Sequence, residues 1–370
     1  MKVANVVLNN FTNDSRVLKI SNTLGKVNFA VTVLAMHDEN LPYLESSENF
    51  NVERIKLLTR KWPKIKFFQV FKYLEFIIRA FLKAKDNDFI HCNDLSALPV
   101  GVLAKVFNKN VKVIYDAHEY ETEMNGVHGL EKRIIKIMEK GLIKFADEVM
   151  TVSDSISCEY SKLYAIEKPK LVLNCPYYAV VEKHDIFREQ LGIRKEQKIF
   201  LYQGALSRGR GIDILLNTFV KLDDDSKVLV VMGYGKLESV VKDFAEKSER
   251  IFFFPAVSPT NLLIHTSSAD YGISFIEDSC LSYRYCLPNK MFEYFMAGLP
   301  VIVSNLYEMS SLVRKYNVGV VSEENTEVGF INAINKIVKE DYSKMKYNVS
   351  TISKLYSWEN QELEVLKVYN

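Results

Sequence analysis

One carboxylate, Glu293, stands in an otherwise apolar run, LPNKMFEYFMAGLPVIVS at 287–304. Burying a charge unpaired is expensive, so Glu293 needs a partner, and a hydroxyl-rich ligand is a good one. Asn289 lies one turn earlier on the same helix face. Both fall near a helix start, where free N–H groups and the dipole favour an anion such as a phosphate. A carboxylate for sugar hydroxyls beside a seat for phosphates suggests a nucleotide-sugar site. The stretch YQGALSRGRGID at 202–213 follows a strand and opens a helix. Gly204, Gly209 and Gly211 let backbone approach a ligand, and Arg208 and Arg210 offer forked donors to a diphosphate. A flexible turn with solvated arginines has the same composition. Gly233-Tyr234-Gly235 is another close-approach turn, without the third glycine of a dinucleotide fingerprint.

In the first half, Asp116-Ala117-His118-Glu119 follows a strand, at the carboxyl edge where functional groups gather. A lone histidine is more often a satisfied structural group than a catalyst. Flanked by two carboxylates at a strand end, His118 is a catalytic candidate as well. His91-Cys92-Asn93-Asp94 occupies the same kind of place, and Asp94 reads as either a helix cap or a substrate contact. Asn10, Asp14 and Arg16, after the first strand, are ambiguous in the same way. Two acidic strings, Asp86-Asn87-Asp88 and Asp223-Asp224-Asp225, lie before strands, at the wrong edge for a shared site. They read as solvated loops, and no metal is expected.

The elements that must position these residues alternate along the chain. Strands are expected at 3–8, 29–36, 52–55, 89–91, 111–115, 148–152 and 171–173, with helices at 15–24, 66–84, 95–107, 130–145 and 155–164. The second half repeats the scheme, with strands at 198–202, 227–232, 251–254, 271–275, 301–303 and 319–321. Such alternation implies right-handed βαβ units and parallel sheets covered on both faces. A length of 370 residues suits two doubly wound α/β domains, 1–178 and 179–356, joined through 174–182. Ligands are then expected beyond the carboxyl ends of the strands, in a cleft between the domains.

A net charge of +2 implies no commitment to nucleic acid, so any basic surface must be local. One such surface is evident. Between Glu53 and Lys85 there are ten Lys/Arg, from Arg54 to Lys85, against two Glu, with Trp62, Phe67, Phe71 and Phe76 interleaved. A basic, aromatic amphipathic helix suits an anionic membrane surface, although a helix packed on the sheet with a basic outer face has the same pattern. Five cysteines without C-x-x-C spacing argue for a reducing compartment and against zinc. The opening MKVANVVLNN reads as a strand rather than a signal peptide, and no window is apolar enough to span a bilayer. A cytoplasmic chain is expected.

Taken in order, NDSRVLK, HCNDLSALPVG, IYDAHE, VMTVS, YQGALSRGRGIDILL, ADYGIS, PNKMFEYFMAGLPVIVS and SWENQELEVLKVY resemble a GT-B-fold glycosyltransferase of the retaining family 4 kind, over nearly the full length. The resemblance implies two Rossmann-like domains, a nucleotide-sugar donor held mainly by the second and a glycan acceptor mainly by the first. It also implies that a final helix, 357–370, crosses back to the first domain. By the same resemblance Glu293 would hydrogen-bond ribose hydroxyls, and Arg208 and Arg210 would neutralise the diphosphate. His118 would touch the sugar or acceptor near the reacting carbon. Gly204, Gly209, Gly233, Tyr234, Gly235, Asn289 and Lys290 fall on the donor side, and Asn10, Asp14, Arg16, Asn93, Asp94 and Glu119 on the acceptor side. No protein nucleophile, cofactor or metal is implied beyond the nucleotide sugar itself. The chain departs from the family pattern at Tyr285, where a second Glu is frequent, at Ala205, where an Arg is usual, and at Arg210-Gly211, where Lys-Gly is usual. Those departures also admit a catalytically silent subunit that scaffolds a partner, and the same fold serves nucleotide-sugar epimerases.

Overall fold

The computed structural model describes residues 1–369. The chain forms two compact units, Met1–Asn174 together with the residues from Gln361 onward, and Cys175–Asn360. Each is an α/β layer structure. In the first unit eight strands lie in the order β3-β4-β2-β1-β5-β6-β7-β8. They are β1 (Lys2–Val6), β2 (Ala30–Met36), β3 (Leu44–Ser46), β4 (Asn51–Ile55), β5 (Phe89–Asn93), β6 (Lys112–Ala117), β7 (Glu148–Thr151) and β8 (Lys170–Leu171). All pairings are parallel except β3 with β4. The short, exposed edge strand β3 has no apolar run, which is why sequence periodicity does not announce it.

The central strands are buried on both faces, so they read as continuous apolar runs rather than alternating ones. Register then fixes the chemistry. His91 on β5 faces Asn5 on β1, and Asn93 faces Asp116 on β6, which gathers the polar residues of three strands at one carboxyl edge. Helices α1 (Ser15–Lys26), α2 (Lys66–Ala84), α3 (Asp94–Phe107) and α4 (Gly129–Leu142) belong to this unit. Asp14 caps α1, its carboxylate accepting from the Val17 N–H.

The second unit is a six-stranded, wholly parallel sheet in the order β11-β10-β9-β12-β13-β14. Its strands are β9 (Lys198–Ala205), β10 (Lys227–Tyr234), β11 (Ile251–Pro255), β12 (Tyr271–Ser274), β13 (Val301–Ser304) and β14 (Gly319–Ser322). Phe200, Tyr202, Phe219, Ile273, Phe275 and Phe330 form the centre of its core. The helix Asn289–Met296 begins one residue later than its proline suggests, with Pro288 as the cap. The last helix, Trp358–Val368, runs into the first unit: Gln361 accepts from the Leu173 N–H, and Lys26 pairs with Glu362. Among the described residues, no helix is long and apolar enough to cross a membrane.

Candidate active site

Each unit carries a polar cluster at the carboxyl end of its strands. In the first, Asp116 closes β6 with no solvent exposure. Arg16 reaches it from α1 through two bonds, Nε to Oδ2 at 2.8 Å and Nη2 to Oδ1 at 2.7 Å, and donates a third to the Val172 carbonyl. Burial opposes the Asp116 charge, but Arg16, then His118, hold its carboxyl well below the usual range. On the other side of Asp116, His91 sits 3.4 Å from Oδ2 through Nε2 and shares a 2.7 Å hydrogen bond with the Tyr369 hydroxyl through Nδ1. Burial keeps the His91 ring below its ordinary pKa, hence neutral.

His118 is the member of this cluster that reaches the surface, with a side chain 19% exposed. Its Nε2 lies 3.3 Å from Asp116 Oδ2 and its Nδ1 3.6 Å from Asp94 Oδ2. Burial works against the charged ring, yet Asp94 and Asp116 outweigh it and push His118 up to about 9. At neutral pH the side chain is an imidazolium. In that form both ring nitrogens are donors and neither can act as a general base.

Asp94 is bent towards this centre. Its φ is +61°, a left-handed conformation rare for a residue with a side chain, and its Oδ1 accepts from the His118 N–H. The capping role expected of Asp94 falls instead to Glu121, whose Oε1 accepts from the Leu95 N–H at the head of α3. Three acceptor candidates are engaged within the protein, Arg16 and Asn93 buried and Asp14 half-buried. Arg16 spends its guanidinium on Asp116 and Val172, Asn93 donates to Asn5 Oδ1 and the Val6 carbonyl, and Asp14 is the α1 cap. All three position other groups. Asn10 and Glu119 are half-buried at the same edge, with Asn10 accepting from the Thr12 hydroxyl.

In the second unit the cluster forms where β9 ends and the helix Asn289–Met296 begins. Gln203 donates from Nε2 to Glu293 Oε2 at 2.5 Å and accepts at Oε1 from the Thr266 hydroxyl at 2.8 Å. The partner that Glu293 required is therefore an amide, and the amide fixes the carboxylate's orientation. Lys290 is 9% exposed, and its Nζ has no hydrogen-bond acceptor. That amine sits 3.8 Å from the centre of the Tyr202 ring, next to Gly204. Burial, then the Arg210 guanidinium, lower the Lys290 pKa to about 7, with Glu293 and Cys286 resisting. Arg210 lies over the Tyr283 ring at 5.0 Å, while Arg208 and Asn289 are exposed. An orphaned buried amine, an arginine and an oriented carboxylate form a site for an anion joined to a diol.

The loop 206–211 is not a slack turn. Glu277, beyond β12, donates its N–H to the Gly209 carbonyl and accepts from the Gly211 N–H. Gly211 has φ +65°, and a Cβ there would stand 1.9 Å from the Phe275 ring. Gly233 has a packing reason to be glycine: a Cβ would meet the Gly204 carbonyl at 2.0 Å, so its smallness serves the β9–β10 pairing. Gly235 crowds the Leu206 carbonyl in the same way, and Tyr234 is exposed. The sequence does not single out Gln203, Glu277 or Tyr369. Gln203 carried a signal, a buried-strand polar residue beside Gly204. Tyr369 carried none, because its partner is distant in sequence.

The family description "Glycosyl transferases group 1" matches residues 183–352, and "Glycosyltransferase Family 4" matches 15–174. The chain belongs to the family 4 type of GT-B glycosyltransferases. The first match takes in Gln203, Lys290 and Glu293 and the second takes in Arg16, His91, Asp116 and His118, with Tyr369 outside both. Among curated relatives, a chitobiosyldiphosphodolichol beta-mannosyltransferase of Debaryomyces hansenii is 23% identical over 326 residues, which cover 77% of this chain and 66% of that protein. Among solved structures, a sucrose-phosphate synthase of Thermosynechococcus elongatus superposes with a TM-score of 0.81 at 17% identity, covering 100% of this chain and 98% of that one. Anabaena HepE, solved with UDP and glucose, gives 0.73 at 14% identity, covering 100% and 99%. At these identities the structural likeness is one of fold.

Proposed function

We propose that this glycosyltransferase moves a hexose or N-acetylhexosamine from a nucleoside-diphosphate sugar, UDP-linked, to a lipid-linked glycan acceptor in surface polysaccharide assembly. Transfer proceeds with retention, without a metal, at the cytoplasmic face of a membrane. The observation that carries the reading is the Lys290 amine, buried without an acceptor over the Tyr202 ring, next to Gly204 and one helical turn from the amide-oriented Glu293. The amine and Arg210 face the diphosphate, and Glu293 accepts from ribose hydroxyls. HepE's complex with UDP and glucose supports the choice of base, and the dolichol diphosphate in the mannosyltransferase's name supports a lipid-linked acceptor.

In this reading the catalytic work is electrostatic and positional. As the glycosidic C–O bond breaks, negative charge grows on the leaving diphosphate, where Lys290 and Arg210 donate hydrogen bonds. The acceptor attacks on the same face, and its proton passes to the departing phosphate oxygen. His118, charged at neutral pH, donates to sugar or acceptor oxygens near the reacting carbon. Arg16 and Asp116 hold it there and touch no substrate.

A thermal-shift panel of UDP, GDP, ADP and their common sugars, with EDTA present, tests the assignment. A shift with UDP species that exceeds the others is expected. Well-folded protein that responds to none of them would instead favour a silent scaffolding subunit, and free epimerised sugar nucleotide formed without acceptor would favour an epimerase. Glu293→Gln should weaken UDP binding by about 1–3 kcal/mol, the scale of a hydrogen bond to a charged group. Titration calorimetry reads this directly, and an unchanged affinity in folded variant would remove the ribose role.

A further inference from the structure

Helix α2 is apolar on two opposite sides. Phe76, Ile77, Ala80 and Ala84 are buried in the first unit. The outer side carries Phe67, Phe71, Leu74, Ile78 and Leu82, each between 43% and 64% exposed. At 100° per residue these five fall within an arc of about 80°, a continuous stripe along the whole helix. Helix α4 repeats the arrangement with Leu130, Ile134 and Ile137, between 55% and 73% exposed. Lys66 pairs with Glu131 at 3.3 Å, so the first turns of the two helices lie together and both stripes start from one corner. Trp62, 43% exposed, sits at the head of α2 against the edge of Phe68. Apolar surface on this scale is unusual on a monomer that meets only water.

The charges around the stripes are sorted by sign. The acids of this region are turned inward or paired. Glu75 accepts from the Leu58 and Thr59 N–H groups and from Arg79, and burial there does not prevent these donors from lowering its pKa to about 2. Glu53 pairs with Lys83. Glu139 is buried under the hydroxyls of Tyr115, Tyr160 and Tyr164. Lys61, Lys64, Arg133, Lys136 and Lys140 are exposed. Arg54, counted among the basic residues of the surface from sequence, is corrected: it is buried and bound to Glu45 and to the Pro42 and Asn10 carbonyls.

We propose that the outer faces of α2 and α4 form one docking surface for an anionic lipid bilayer, with the apolar stripes in the acyl boundary and the lysines and arginines against headgroups. The exposed acids at the rim, Glu39 and Glu131, are each paired with a lysine, which leaves Lys64, Arg133, Lys136 and Lys140 exposed without an acidic partner among the described residues, an excess of positive charge that suits anionic headgroups. The α4 half of this surface lies outside the basic segment legible in sequence. The proposal rests on the lipid-linked acceptor reading only for its purpose, because a bilayer would hold the enzyme beside such an acceptor.

The test is co-sedimentation of the full chain with phosphatidylcholine vesicles, alone or mixed with phosphatidylglycerol. Binding to the mixed vesicles that weakens in high salt is expected. The double variant Ile134→Ser/Ile137→Ser on α4, and Phe71→Ser/Leu74→Ser on α2, should each lower the partition coefficient about tenfold or more. Arg133→Gln/Lys136→Gln should lower it by a similar factor, on the scale of two basic residues near an anionic surface. Circular dichroism and the UDP thermal shift of each variant establish that it is folded. Wild-type protein that stays in the supernatant overturns the proposal, as do α4 variants that bind like wild type. So does light scattering that shows a wild-type dimer which these substitutions dissociate. A retained UDP shift with no vesicle binding sinks the docking surface alone, whereas loss of the UDP shift in wild type bears on the function.

Discussion

Lys290→Met is expected to weaken UDP binding by about 1.5–3 kcal/mol, roughly tenfold to 150-fold, while making the ligand-free protein more stable to heat. Both effects follow from one amine. It is buried over the Tyr202 ring without an acceptor, and Arg210 adds a second positive charge nearby. Burial and that charge lower its pKa to about 7, far beneath the ordinary lysine value. Between about 7 and that value the unfolded chain binds the extra proton, so stability climbs with pH. Below 7 the full cost of charging a buried amine is present, and methionine, of similar length, removes it. A diphosphate supplies the missing counter-charge, so binding above pH 7 should draw a proton onto Lys290. Affinity should then fall as pH rises above 7. Calorimetry in two buffers of different ionisation enthalpy measures the proton taken up. A methionine variant that kept the wild-type affinity and the same proton uptake would end this account.

Asp116→Asn is the second large effect, on the other unit. The substitution keeps the shape of the side chain and removes the counter-charge of Arg16, which is 2% exposed. A buried guanidinium left beside an imidazolium should cost about 3–5 kcal/mol. Urea unfolding followed by a probe in the first unit reads the loss. His118 gives the pH signature. Its folded pKa of about 9 lies above its unfolded value, so its contribution is full below about 6.5 and disappears as pH rises through 9. Without Asp116 that decline should move to lower pH. Wild-type stability with an unmoved His118 titration by NMR would show that Asp116 does not govern the ring. The parallel change in transfer rate should track the histidine, since Asp116 reaches substrate only through it.

The architecture was legible because its signals are local. Alternating apolar strands and capped helices predict the two α/β units, and the ordered motifs predict the family. Glu293 could be singled out because a charge in an apolar run is costly wherever it lies. Its partner could not, since Gln203 is joined to it only by the packing of β9 against the helix Asn289–Met296. The same limit explains the reassigned residues. Arg16, Asn93 and Asp14 have the polarity of substrate contacts, and only the fold shows the neighbouring groups that each of them engages. Gly233 and Gly235 illustrate the converse. A glycine read as room for a ligand is, at both positions, room for another stretch of backbone. The outer stripes of α2 and α4 were half visible, because a helix with two apolar sides does not announce which one is turned inward.

The hydrogen bond between His91 and Tyr369 carries a consequence for synthesis. A ribosome that has released the first 174 residues has released the strands of one unit but not its last piece. That piece emerges only about 200 residues later, a delay of roughly 10–40 s at ordinary elongation rates. During that interval the His91 imidazole has no phenol to meet, and the cavity that Tyr369 fills, against Phe29 and Phe89, is open. The second unit, continuous in sequence, has no such wait. The earlier half, which waits longest for its last piece, should therefore be the one that leans on chaperones.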